Sequence, residues 1–275
     1  MNRILCSTGA IIGRPNGRDH RLLAKYAPTL ECDGFEFMIY ESWSDTLDTV
    51  ISDVASMGLP IPTVHFEKSI GESFTSGNFA DGYERFAKNC AAANRLGAKL
   101  AVLHLWNGIP SDGRFENNLF AVPQLDKIAS DHGLTLTVEN VVCSHGDPQS
   151  RLDELAEKTA VHFTFDTKMA AFHRQVMDIF KPEREHFWKD WRISHIHAND
   201  YGGGYMDWKN LRVLHIGSGN VPLADFFREL LLRGYQGDYT VESTGFDING
   251  LVDTKLLNHD FAMLRQLISC GGKTL

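Results

Sequence analysis

The sequence predicts an α/β protein built as a single (β/α)8 barrel over residues 1–275. Three observations predict it. Short apolar, β-branched runs alternate with longer amphipathic ones about eight times, the pattern of parallel strands joined by crossover helices. A chain of 275 residues matches the usual size of one such barrel and is long enough for one well-buried core, although two smaller domains stay open on length alone. The doubly wound alternative calls for a glycine fingerprint after an early strand, and Gly9 and Gly13 are too sparse to form one.

In chain order, Ile4-Leu5-Cys6-Ser7-Thr8 reads as the first strand and Arg21 to Tyr26 as helical. Asp33 to Met38 is the second strand. Asp45 to Met57 carries Leu47, Val50, Ile51 and Val54 at helical spacing, with Gly58 as its C-cap. Pro62 to Phe66 is the third strand, Phe79 to Leu96 a long helix ended by Gly97, and Lys99 to His104 the fourth strand. A helix from Asn117 to His132 stops at Gly133, before the fifth strand, Leu134 to Glu139. Asp147-Pro148 opens the next helix, with proline in the first turn. Val161 to Asp166 and Ile193 to His197 are strands six and seven. Pro222 to Arg233 is a helix ended by Gly234, Tyr239 to Glu242 the eighth strand, and Thr254 to Ser269 the closing helix, stopped by Gly271-Gly272. One stretch breaks the rhythm. Asn199 to Gly219, containing YGGGYMDW, is a long loop of the kind that serves function in a compact domain.

Composition narrows the function. The formal net charge is −8, which counts against a nucleic-acid backbone as partner and gives no support for an anionic membrane surface. Five cysteines, Cys6, Cys32, Cys90, Cys143 and Cys270, are widely spaced without a CxxC, so a disulfide framework or structural zinc site is not expected. The N-terminal apolar stretch is too short and broken for a signal peptide, and no run reaches a membrane span. The chain is expected to be soluble and cytoplasmic, and its oligomeric state, including a homo-oligomer, stays open.

Chemistry concentrates at the ends of the later strands. Glu139, Asp166, His197 and Glu242 each end, or just follow, a short apolar run, where a parallel barrel keeps its active site. The gaps between them are 27, 31 and 45 residues: two single βα units, then one unit plus the long loop. A lone strand-end carboxylate is usually a helix cap or surface charge. Four in register with successive strands instead suggest one divalent metal ion. Three carboxylates and an imidazole favour Mn2+, Mg2+ or Co2+ and tolerate Zn2+. His65 and His104 end the third and fourth strands, where they could bind substrate oxygens, a second metal, or simply a structural partner.

These segments resemble the xylose isomerase-like, or endonuclease IV-like, TIM-barrel superfamily, from Val64-His65 to Val241-Glu242. The most specific matches are TVEN at 137–140, FDT at 165–167, HIHAND at 195–200 and the tail from His215 to Ser243. That superfamily includes sugar and sugar-phosphate isomerases and epimerases and a dehydroshikimate dehydratase. The resemblance implies Glu139, Asp166, His197 and Glu242 as metal ligands, with Glu139 and Glu242 also the proton-transferring pair. Two departures matter. The family's usual histidine three residues after the strand-six aspartate is Met169 here, and the Asp-x-His pair of the DNA-repair branch is replaced by Leu211-Arg212-Val213. A single-metal site is therefore favoured over a trinuclear zinc site, and His173 is read as a surface residue rather than a substitute ligand.

The implied activity is isomerisation or epimerisation of a small sugar, ketose or polyol-derived carbonyl compound through an enediolate. His65, His104, Lys168, Arg212 and Trp106 would bind the substrate, with Phe66 beside its carbon skeleton; for the aromatic pair, a place in the core or rim is the favoured reading. Gly217 and Gly219 could offer N–H groups to a phosphate or form a tight turn before the helix. The runner-up is a metal-dependent lyase of the dehydroshikimate dehydratase type. An endonuclease-like activity, or a non-catalytic binding barrel, ranks behind.

Overall fold

The computed structural model describes residues 2–108, 112–189 and 191–269; Cys270 and the Gly271-Gly272 stop lie outside them. Eight strands, β1 Ile4–Ser7, β2 Gly34–Met38, β3 Thr63–His65, β4 Leu100–Leu103, β5 Thr135–Glu139, β6 His162–Asp166, β7 Ile193–His197 and β8 Asp238–Val241, follow sequence order around a closed barrel. The registered neighbours run parallel, as in Glu139↔Thr164 and His197↔Thr240. Ten α-helices are described: α1 Leu22–Tyr26, α2 Leu47–Ser56, α3 Ile70–Thr75, α4 Phe79–Arg95, α5 Phe115–Asp131, α6 Pro148–Lys158, α7 Thr167–Phe172, α8 His186–Lys189, α9 Leu223–Leu232 and α10 Thr254–Ser269. No described helix is long and apolar enough to cross a membrane.

The eight predicted strands are all present, within a residue or two of their expected ends. The Asp147-Pro148 start holds as well. The Asp147 carboxylate caps α6 by accepting from Ser150 N at 2.9 Å. Three short helices were not legible. α3 is tucked in after β3, and α7 and α8 fill the stretch between β6 and β7, where Arg174 (φ +58°) and Pro182 break any longer helical period.

Contacts divide the chain into two compact units, Met1–Phe35 with Phe165–Leu275, and Glu36–Thr164. In the first, β8 lies between β7 and β1. Strand alternation sends Phe165 and Tyr239 to the helices. Phe165 stacks on Phe226 of α9 at 5.4 Å between centroids, and Tyr239 meets Phe227 edge-on at 5.5 Å. The alternate residues turn the other way, where His195 Nε2 and Thr240 Oγ1 hydrogen-bond at 2.9 Å. In the second unit, Phe66 packs edge-on against Phe86 of α4 at 5.2 Å. The opposite strand face again carries polar groups, with Thr137 and Thr164 hydroxyls 2.7 Å apart across β5 and β6. Each fully buried phenylalanine contributes roughly 2–3 kcal/mol. The helix-facing side of the strands thus carries stability, and the other side is free for polar chemistry.

Candidate active site

In the first unit, Asp166, His197 and Glu242 come together. One ligand atom from each lies within 4.8 Å of the others. His197 Nδ1 is 3.4 Å from Glu242 Oε2 and 3.9 Å from Asp166 Oδ2, and Asp166 and His197 are fully buried. Donors that share one ion at about 2.1 Å are separated by roughly 3–4 Å, so these spacings and donor types fit a divalent cation. Neighbouring groups fix the trio. Asp166 Oδ1 caps α7 by accepting from Met169 N at 2.7 Å. Asn199 Nδ2 donates to Asp166 Oδ2 at 2.7 Å and to Glu242 Oε2 at 2.8 Å, while its Oδ1 accepts from Glu242 N at 3.2 Å. Thr167 Oγ1 accepts from Asn199 N at 2.9 Å and donates to Asn199 O at 2.6 Å. Asn199 therefore binds two proposed ligands to each other. Its signal lay in plain view in HIHAND, but an asparagine past a strand end has no pattern that separates it from a turn residue.

The long loop after β7 is organised by a second buried carboxylate. Asp200 Oδ1 accepts from Tyr201 N (2.8 Å) and Val221 N (3.1 Å), and Oδ2 from Gly217 N (3.0 Å) and Gly219 N (2.9 Å). The N–H groups considered for a phosphate are thus taken by the chain's own carboxylate, and the tight-turn alternative holds. Glycine is required at 219 because a Cβ there would run into Asp200 Oδ1 and the Tyr201 carbonyl. Behind the loop, fully buried Asp260 of α10 accepts from Ile216 N (3.0 Å), the Ser243 hydroxyl and His215 Nδ1 (2.7 Å). It ties the residue after Glu242 to the loop.

In the second unit, Glu139 is buried and both strand-end histidines face its carboxylate. His104 Nε2 is 2.8 Å and His65 Nε2 3.3 Å from Glu139 Oε2. His65 Nδ1 donates to the Phe66 carbonyl at 2.9 Å. His104 Nδ1 is sealed without a partner among the described residues, so the His104 proton sits on Nε2 and is donated to Glu139. Burial, only partly opposed by Glu139, holds His104 down at about 4 against an ordinary 6.5. Between those values the unfolded chain binds the extra proton, so stability is complete above pH 6.5 and is lost as pH falls toward 4. By pH 5 the expected loss is on the order of 2 kcal/mol. Urea unfolding at pH 7.5 and pH 5 checks it, and His104→Gln should flatten the difference.

The remaining expected site residues are placed less centrally. Trp106 is fully buried, donates from Nε1 to the Val141 carbonyl at 2.8 Å and packs edge-on against Phe115; with Phe66, also fully buried, it is a core aromatic. Arg212 is exposed on the long loop. Lys168 is buried in α7 beside Asp166. His173 corrects its reading as a surface residue: it is 5 % exposed and lies edge-on against Phe172 and Tyr205, because the long loop folds back over it. Among the described residues, Cys6, Cys90 and Cys143 are buried and Cys32 is partly buried.

Known proteins place this architecture. Residues 24–267 match the family profile described as a xylose isomerase-like TIM barrel. No curated protein sequence is significantly similar. Among solved structures, a D-allulose 3-epimerase from Methylomonas sp. aligns with a TM-score of 0.69 at 17 % identity, over 97 % of this chain and 98 % of that one. A D-tagatose 3-epimerase-like protein aligns at 0.71 and 17 %, covering 98 % of both chains. A 3-keto-D-glucoside 4-epimerase from E. coli aligns at 0.65 and 19 %, over 97 % of this chain and all (100 %) of that one. At these identities the likeness is one of fold.

Proposed function

The chain belongs to the xylose isomerase-like TIM-barrel family, and on that premise we propose that it is a divalent-metal-dependent epimerase or isomerase of a small ketose. Glu139, Asp166, His197 and Glu242 are the proposed ligands. One observation carries the reading. The side chains of Thr137, Thr164, His195 and Thr240 hydrogen-bond in pairs across strands, and each proposed ligand lies two residues further along from one of them. A step of two keeps a strand residue on the same face, so the four ligands extend the polar face by one level. The solved relatives named as sugar epimerases are consistent with this use of the fold.

A divalent ion held there would supply positive charge to the carbonyl oxygen as an enediolate forms. The chain's own residues do the rest. Glu139 and Glu242 act as the proton-transferring pair, one removing the proton from the carbon beside the carbonyl and the other returning it. Asn199, which bonds both Asp166 and Glu242, fixes which carboxylate oxygens stay available. His104 and His65 hold Glu139 in place, so their role is to position this carboxylate, with direct contact to substrate oxygens secondary. Mn2+, Mg2+ or Co2+ suits the oxygen-rich set, and Zn2+ is tolerated. A second ion at His65, His104 and Glu139, which also cluster within 4.8 Å, would show as two ions per chain.

The test is deuterium exchange. Metal-loaded protein incubated in D2O with D-tagatose, D-fructose and D-allulose should place deuterium on the carbon next to the carbonyl, with mass otherwise conserved. Loss of water and a new conjugated chromophore would instead support the dehydratase reading. No exchange with any ketose by fully metal-loaded protein would remove the proposal.

A further inference from the structure

Lys168 is the one lysine or arginine buried among the described residues, at 8 % exposure. It makes no hydrogen bond or ion pair with any of them, yet its ammonium is not among the sealed, unpartnered atoms. Its stem is therefore covered while the charged head keeps access to solvent. The backbone that carries it cannot easily shift. The preceding residue, Thr167, is bonded to Asn199, and the following one, Met169, donates to Asp166 Oδ1. An ammonium whose stem is held and whose head reaches solvent without a carboxylate partner among the described residues is left available to pair with a bound anion. The nearest carboxylate along the chain, Asp166, has its oxygens engaged by Met169 N and Asn199 Nδ2.

We propose that Lys168 selects a substrate bearing a carboxylate, so that the natural substrate is a polyhydroxy keto acid and not a neutral ketose. This rests on the ketose reading above and narrows its substrate class. A carboxylate gives the ammonium a charge-assisted hydrogen bond that a sugar hydroxyl cannot match. The competing role for Lys168 is to offset the single negative charge left when three carboxylates meet one divalent ion; that role would act on metal affinity and on all substrates alike.

Calorimetry on Mn2+-loaded protein separates the two without needing turnover. D-gluconate should bind at least about tenfold more tightly than D-glucitol. Lys168→Gln should erase that difference, weakening gluconate about tenfold more than glucitol, while leaving Mn2+ content within about twofold. In exchange assays the same variant should raise KM for D-fructuronate about tenfold more than KM for D-fructose. Equal binding of gluconate and glucitol by the wild type, or a variant that loses Mn2+ or both ligands together, overturns the proposal. If no ketose or keto acid exchanges deuterium but the calorimetric preference stands and depends on Lys168, the epimerase reading fails and the anion subsite survives.

Discussion

Glu139→Gln and Glu242→Gln are each expected to lower deuterium incorporation beside the ketose carbonyl by about a thousandfold. Each should also weaken divalent-metal binding tenfold or more, because a neutral amide replaces a charged oxygen donor. Both proteins should remain folded. Glutamine keeps the volume of the side chain, and Asn199 beside position 242 and His104 beside position 139 can still donate to its amide oxygen. The two effects separate on titration with metal. At saturating Mn2+ the binding defect is overcome, and the remaining loss reports proton transfer alone. The double variant should be little slower than the worse single one, since a pair that hands one proton across a carbon works as a unit. Full activity in both single variants, on a substrate the wild type turns over, would mean the proton moves through other groups.

Asp200→Ala carries the largest expected effect on stability. Its carboxylate accepts four backbone N–H groups, from Tyr201, Gly217, Gly219 and Val221, and Asp200 itself is buried. Removing it leaves those donors without an acceptor and opens a cavity, at a cost of about 3–5 kcal/mol. For a chain of this length that lowers Tm by roughly 10 °C. Asp200 also directly follows Asn199 in sequence, so the released loop should loosen the Asn199 bridge between Asp166 and Glu242. Metal affinity should then fall with stability, although Asp200 is not itself a proposed ligand. A variant that melts at the wild-type temperature would show that the loop holds without its carboxylate.

The strands and the strand-end chemistry were legible because both follow a period of two. In Thr135–Glu139 and His162–Asp166 the apolar residues alternate with polar ones, and the last polar position is the proposed ligand. The short helices were not legible, because four to six residues hold too few turns to show a period. Asn199, Thr167, Asp200 and Asp260 were missed for a different reason. Each acts by accepting from or donating to groups far away in sequence, as in Asp260 with Ile216, 44 residues apart, and no local pattern records a partner at that distance. His173 was misread for the same cause, since its burial comes from a loop that lies more than 25 residues downstream. Gly217 and Gly219 were visible as a phosphate-like turn, but the carboxylate that fills it lies in the preceding segment.

The central claim is that four strand-end residues share one divalent ion. A crystal soaked in Mn2+ and measured at the manganese absorption edge tests it most directly. A single strong anomalous peak is expected, bounded by carboxylate oxygens of Glu139, Asp166 and Glu242 and an imidazole nitrogen of His197. A soaked crystal with no peak at these four residues, or with its only ion elsewhere on the chain, would contradict it.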